Sequence, residues 1–252
     1  MADELPRLDR IFQSARVGID RDHRPAPVRI ADGLWSLERH LKMPGRVTLP
    51  SRTTIVRVDG GGLALISPPP AHDETFAAID VLGRVDALIA PNSFHYLFVN
   101  AAMERYPNAK LYLAPGLQRR VATLPAGTDL GDRSPSADLD TVVLGPVRGW
   151  SEVLLFHRPS RTLIISDAAF NIRNVEGLFE RIFWRGFGVP NGFGPSRTAR
   201  LTLLSNRGIA GKALRRAREW PFERILVAHG EVVQTEARAQ FERAYRKYLE
   251  AD

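Results

Sequence analysis

The sequence predicts an α/β fold of mixed β-sheets with helices outside. Two hairpin-like strand pairs open the chain after residue 27. Strand–helix units follow over 73–120, and a late strand–helix pair closes the chain after further strands. A purely parallel, doubly wound sheet would not open on two hairpins.

Residues 1–27 are polar, contain Pro25 and Pro27 and lack a clean period, so they read as an N-terminal arm before a single domain over 28–252. Val28–Leu37 holds VRI and LWSL around Asp32-Gly33, a hairpin signal. Thr53–Val58 and Leu63–Ile66 flank Asp59-Gly60-Gly61-Gly62, a second hairpin in which glycine supplies the positive φ. The glycine run is not a phosphate loop, because it lacks the Lys-Ser/Thr and the following helix. Phe76, Ile79 and Leu82 recur at helical spacing, which predicts a helix over 73–83. A strand at Ala87–Ala90, a polar junction at Pro91-Asn92-Ser93 and a helix over 95–106 come next. Then follow a strand at Leu111–Ala114, a helix from Leu117 and a loop over 125–140. Strands return at Thr141–Leu144, Glu152–Phe156 and Thr162–Ile165, with a helix predicted over 174–185. A glycine- and proline-rich loop over 186–196 precedes one amphipathic helix predicted over 201–220. The strand Ile225–Ala228 and a helix over 233–249, with Phe241 and Tyr245 on its apolar face, end the chain.

Composition removes several classes of function. With 44% hydrophobic and 25% charged residues among 252, the chain can bury a core without disulfides or a structural metal. No apolar run approaches the ~18 residues of a membrane span. The N-terminus is charged and has no apolar stretch, so a secretory signal is not expected and a cytoplasmic location is. Cysteine is absent, which excludes disulfides, thiolate metal sites and a cysteine nucleophile. The net charge of +7 comes from 35 basic residues, only four of them lysines, against 28 acidic ones. Arginine is scattered along the chain rather than gathered, so a nucleic-acid partner is not expected. The expected partner is a small-molecule substrate or ligand.

Three places share one design: an apolar strand stops and a group able to bind a metal follows. ALIA is followed by Pro91, Asn92 and His95, LIIS by Asp167, and ILVA by His229. Sites in α/β proteins assemble at strand ends, and parallel strands would bring these groups to one edge. Two histidines and a carboxylate suit a catalytic Zn²⁺ with an open position, and equally a non-haem Fe(II). Asn92 and Glu231 are candidates to orient that set. Glu152, at the start of EVLLF, is a candidate general base. Ser166 lacks a glycine elbow, so a serine hydrolase is not indicated. Trp184, Phe187 and Phe193, around the glycine-rich loop, would line an apolar pocket or pack a helix. His157, at a strand end, is expected to face solvent.

Those segments resemble the metallo-β-lactamase superfamily in order and content. ILVAHGEVV resembles its late GHG segment, and TLIISDAAF resembles the segment whose Asp bridges two metals. PNSFHYLFVNAAMERYPNAKLYLAPG is similar to its first metal motif, HxHxDH, with the helix and strand beyond. His95 falls on that motif's last His, Asn92 on the second, Ala90 on the first and Phe94 on the Asp. The family's separate His falls near Pro146 and is missing. The resemblance covers roughly residues 28–235, most closely an uncharacterised branch with a reduced metal motif. It implies a four-layer αββα sandwich and one metal on His95, Asp167 and His229. It also implies a mononuclear metal-dependent hydrolase of an ester, amide or phosphoester. Phe94 can neither bind metal nor orient water; that departure and the three missing histidines favour one alternative, a non-catalytic binding protein, and the trio's facial-triad composition gives another, an Fe(II)-dependent redox protein.

Overall fold

Several strands are buried on both faces, and alternate residues of one strand enter different cores. The computed structural model describes residues 18–19, 26–42, 48–131, 134–173, 175, 177–189 and 191–251. Its first sheet contains β1 (Gly18–Ile19), β2 (Val28–Ala31), β3 (Leu34–Lys42), β4 (Thr48–Arg57), β5 (Leu63–Ile66), β6 (Val85–Ala90), β7 (Lys110–Leu113) and β8 (Thr128–Asp129). The order is β1-β3-β4-β5-β6-β7-β8, with β2 also on β3. The two hairpins form as predicted, and β5 through β8 run parallel. The helices α1 (Asp73–Asp80), α2 (Val99–Arg105) and α3 (Leu117–Arg120) connect these parallel strands. Most of the 1–27 arm lies outside the described residues; β1, inside it, pairs antiparallel with β3.

The second sheet contains β9 (Leu139–Val147), β10 (Trp150–His157), β11 (Thr162–Ile165) and, after a β12 (Phe170–Ile172) and β13 (Gly192–Gly194) pair, β14 (Arg224–Val227). Its order is β14-β11-β10-β9, parallel only between β11 and β14. The helices here are α4 (Leu178–Gly186), α5 (Arg197–Leu201), α6 (Arg207–Glu219) and α7 (Ala237–Leu249).

Strand alternation defines the layers. Leu63, Leu65, Leu88 and Ala90 join Phe76, Ile79, Val99 and Leu117 in a core between the first sheet and its helices. Ala64, Ile66, Ala87 and Ile89 face the other way and meet Val153, Leu155, Ile164 and Leu226 between the two sheets. Leu163, Ile165, Ile225 and Val227 turn to Leu214, Ala217, Phe241 and Tyr245 of the outer helices. The result is the expected four-layer αββα sandwich.

Several helices differ from expectation: that over 95–106 begins only at Val99, with His95 in the turn before it, and that over 174–185 begins at Leu178. The single helix over 201–220 is instead α5 and α6, each with its own cap: Ser196 Oγ accepts from Ala199 N (3.1 Å) and Asn206 Oδ1 from Ile209 N (3.1 Å). Ser and Asn favour such caps, and the Asn206 cap, inside the predicted run, cuts it. The last helix starts at Ala237 rather than 233, because Val233 is held in a backbone bridge to Ile225.

Candidate metal centre

The three strand ends do converge, but from two sheets rather than one edge. β11 and β14 are parallel neighbours in register, with Ile165 opposite Val227, so Asp167 and His229 leave the second sheet side by side. His95 arrives from the end of β6 in the first sheet. Val153 N donates to Pro91 O (2.7 Å), and an Asn92–Glu152 bridge ties the two sheets together at that point.

Asn92 builds the turn that carries His95. Its Oδ1 accepts from Phe94 N (2.9 Å) and His95 N (2.8 Å), an Asx-type turn. Its Nδ2 donates to Asp167 Oδ2 (2.6 Å) and Glu152 Oε2 (3.2 Å). One buried amide thus positions two members of the cluster. Phe94 stacks on Trp150 at 4.6 Å between ring centroids and lines the cavity described below.

Asp167, His95 and His229 lie with one ligand atom each within 4.8 Å of one another. His229 Nε2 is 3.1 Å from Asp167 Oδ1 and 3.2 Å from His95 Nε2, and His95 Nε2 is 3.5 Å from Asp167 Oδ2. His229 Nδ1 lies 2.7 Å from the Pro50 carbonyl, which assigns its proton to Nδ1. Nε2 then turns a lone pair toward a carboxylate oxygen and a second imidazole nitrogen. A proton on His95 Nε2 or a cation can satisfy that lone pair, and two imidazoles with a carboxylate are a fitting donor set for one divalent metal. Histidine ligands ordinarily give their second nitrogen to such a carbonyl. Phe170 stacks on His229 at 4.8 Å.

Electrostatics agree with that donor set. Burial lowers the His95 imidazole below its ordinary value, against the pull of Asp167, so it is held neutral, the ligating form. Burial alone would push the Asp167 carboxyl up, but charge and hydrogen-bond donation from His95 and His229, when an imidazole carries a proton on Nε2, outweigh it and hold the carboxyl well below the usual carboxylate range.

Glu152 sits where the sequence did not lead one to expect it. It is fully buried and does not line the cavity. Its Oε1 accepts from Ser166 N (2.8 Å) and its Oε2 from Asp167 N (2.8 Å) and Ala168 N (2.9 Å). Burial, and next the Asp167 charge, push it up to about 8 against these donors. Tyr245 of α7 donates to Ala168 O (2.9 Å), so the Asp167 loop is fixed from both sides. The Glu231 side chain is exposed; only its backbone joins Asn171 beside His229. His157 is buried rather than solvent-facing: its nitrogens meet Arg57 O (2.9 Å) and Ser160 Oγ (2.7 Å).

Two arginines and one glycine were not singled out from sequence. Arg52 on β4 is 2% exposed, and it donates to the carbonyls of Val227 and Gly230 on either side of His229. It also donates to Ser36 Oγ (2.7 Å) and pairs with Glu38. Gly230 has φ +103°, and a Cβ there would meet Asn171 O at 2.2 Å. Arg39 on β3 is 6% exposed and lines the cavity. Neither arginine stands out in its strand, since Arg39 lies between Glu38 and His40 and Arg52 between Ser51 and Thr53.

A cavity of about 150 Å³ opens onto the cluster. His95, Asp167 and His229 line it together with Leu41, Leu49, Phe98, Phe183, Trp184 and Phe187. Trp184 and Phe187 therefore face the site, whereas Phe193 packs against the helix core and Tyr245.

The chain has the metallo-β-lactamase fold. It aligns with the mono-zinc form of the metallo-β-lactamase FIM-1 from Pseudomonas aeruginosa at TM-score 0.61 and 15% identity, over 90% of this chain and 96% of that one. A metallo-β-lactamase from Erythrobacter litoralis with β-mercaptoethanol in its active site aligns at TM-score 0.62 and 14% identity, over 93% and 100%. The metal-soaked flavodiiron core Flv1 from Synechocystis sp. aligns at TM-score 0.60 and 11% identity, over 89% and 60%. A family model described as "Domain of unknown function (DUF4336)" matches residues 31–177, more than half of the chain. No curated protein matches it. Among the described residues, no helix is long and apolar enough to cross a membrane.

Proposed function

We propose that this chain, which belongs to the DUF4336 family and has the metallo-β-lactamase fold, is a mononuclear metal-dependent hydrolase. The observation that carries the proposal is the His95–Asp167–His229 convergence at an apolar cavity, with His229 Nδ1 held on the Pro50 carbonyl. A bound divalent metal would supply Lewis acidity toward a carbonyl or phosphoryl oxygen and acidify water. The donor set suits Zn²⁺ or Fe²⁺.

The remaining roles belong to the chain. Asp167 is ionised and oriented by Asn92, and the two imidazoles are the other ligands. Glu152 acts in this reading through the Asp167 loop, as a positioning residue, because its oxygens are occupied by N–H donors. The apolar walls exclude water around the bond to be cleaved, strengthening the electrostatics inside. The substrate is a small molecule with an ester, amide or phosphoester bond.

The test is metal content of protein purified without chelator. One zinc or iron per chain is expected, lost in His95→Ala and His229→Ala and kept in His72→Ala. Metal-dependent turnover of chromogenic esters and phosphoesters should follow the same pattern. Equal metal in all four proteins, or none after reconstitution, would overturn the assignment.

A further inference from the structure

Arg39 is a cation buried in the wall of the cavity with no counter-charge among the described residues. Among the described residues no carboxylate pairs with it, and its one hydrogen bond is from Nη1 to Thr53 Oγ1 (2.8 Å). Thr53 Oγ1 in turn donates to Ser67 O (2.6 Å), so the guanidinium is held in place by a neutral relay. Ser67 has φ +57°, a costly backbone conformation for a non-glycine residue, and it too lines the cavity. Arg39 Nε is buried with no hydrogen-bond partner at all. Phe98 lies 5.2 Å from the guanidinium carbon, a cation–π contact that leaves the planar edge unspent. Burial lowers this guanidinium to about 9, which leaves it charged at neutral pH.

A buried charge is ordinarily paired, because desolvating it alone is expensive. Here no partner is present among the described residues and the cation faces a cavity. Leu41, Leu49, Phe98, Phe183 and Trp184 form an apolar part of the lining, and a space of about 150 Å³ matches a six-carbon ring. We infer that the cavity takes an organic anion: a carboxylate-type head on Arg39 and an aryl or short alkyl body against the apolar wall. This deepens the hydrolase reading by naming its substrate class, and binding can be measured without turnover. The planar fork of arginine suits a carboxylate bidentately, which a lysine would not.

Calorimetry on zinc-loaded protein with phenylacetate and its neutral isostere phenylacetamide tests this. Phenylacetate should bind about 30-fold more tightly or better, as expected for a buried charge-assisted contact. Arg39→Met keeps the side-chain bulk, removes the charge and should abolish the preference; its unfolding midpoint checks that it folds. Arg39→Lys should restore part of the preference. Equal affinity for acid and amide, or a preference that survives Arg39→Met, would overturn the inference. A preference lost in His95→Ala but kept in Arg39→Met would put the anion on the metal instead, which also refutes it. If the wild type keeps no zinc yet shows an Arg39-dependent preference, the hydrolase reading fails and the anion site stands.

Discussion

Replacing Arg52 by Met tests how the fold holds its candidate ligand His229. The guanidinium spans from β4 to the end of β14, and the carbonyls of Val227 and Gly230 each accept from it. Met fills most of the same volume but donates nothing. Two main-chain carbonyls flanking His229, and the Ser36 hydroxyl, then lose their donor. Each such buried group costs about 1–3 kcal/mol when left unmet. The Glu38 carboxylate contributes little, because its side chain is 61% exposed and water replaces the pair. Relief of guanidinium desolvation offsets part of the loss. The net expectation is a destabilisation of about 3 kcal/mol.

Urea unfolding of the metal-free protein measures that term, and zinc competition with a chromophoric chelator measures the second. Loss of a group that orients a ligand typically weakens metal binding by about 10–100-fold. Glu38→Gln is the control, with a change below about 1 kcal/mol and unaltered zinc affinity. An Arg52→Met protein with the wild-type midpoint and zinc affinity would refute the role given to these contacts. A lower midpoint with full zinc affinity would confine Arg52 to joining the sheets.

Two further outcomes follow from the same geometry. Gly230→Ala forces a Cβ against Asn171 O in a positive-φ backbone, so the His229 and Asp167 loops must part. Thermal unfolding should register a loss of about 2–4 kcal/mol, and a change below half a kcal/mol would refute the close approach. His157 is held below its ordinary value near 6.5 first by burial, with the Arg57 carbonyl opposing. Below about pH 6.5 the unfolded chain therefore takes up a proton that the folded one refuses, and stability falls with pH by at most about 1.4 kcal/mol per unit. His157→Gln lacks this term, so its deficit relative to the wild type should shrink between pH 7 and 5; a constant deficit would show His157 to be exposed or paired.

What the sequence reveals depends on how local the cause is. The strands are legible because apolar residues run unbroken through LALI, ALIA, TLII and ILVA, and double-sided burial requires that. Asp167 and His229 are legible for the same reason: each follows directly on such a run, and β11 and β14 are register neighbours. His95 is less so, since its place depends on Asn92 folding a turn and on β6 ending against the second sheet. The break between α5 and α6 lies at Asn206, a capping residue inside a stretch whose apolar spacing reads as one helix.

The rest was hidden by distance along the chain. Arg52 meets carbonyls 175 and 178 residues away, and no spacing rule connects a strand arginine to a backbone oxygen that far off. Glu152 has the same difficulty in reverse. A carboxylate at a strand start looks available for proton transfer until the neighbouring strand turns three N–H groups onto it. Charge and residue type therefore nominate candidates, and the donors around each one decide its role. By that criterion the candidate trio gathers a carboxylate and two imidazole nitrogens and Arg39 has donors to spare, whereas Glu152 is already satisfied.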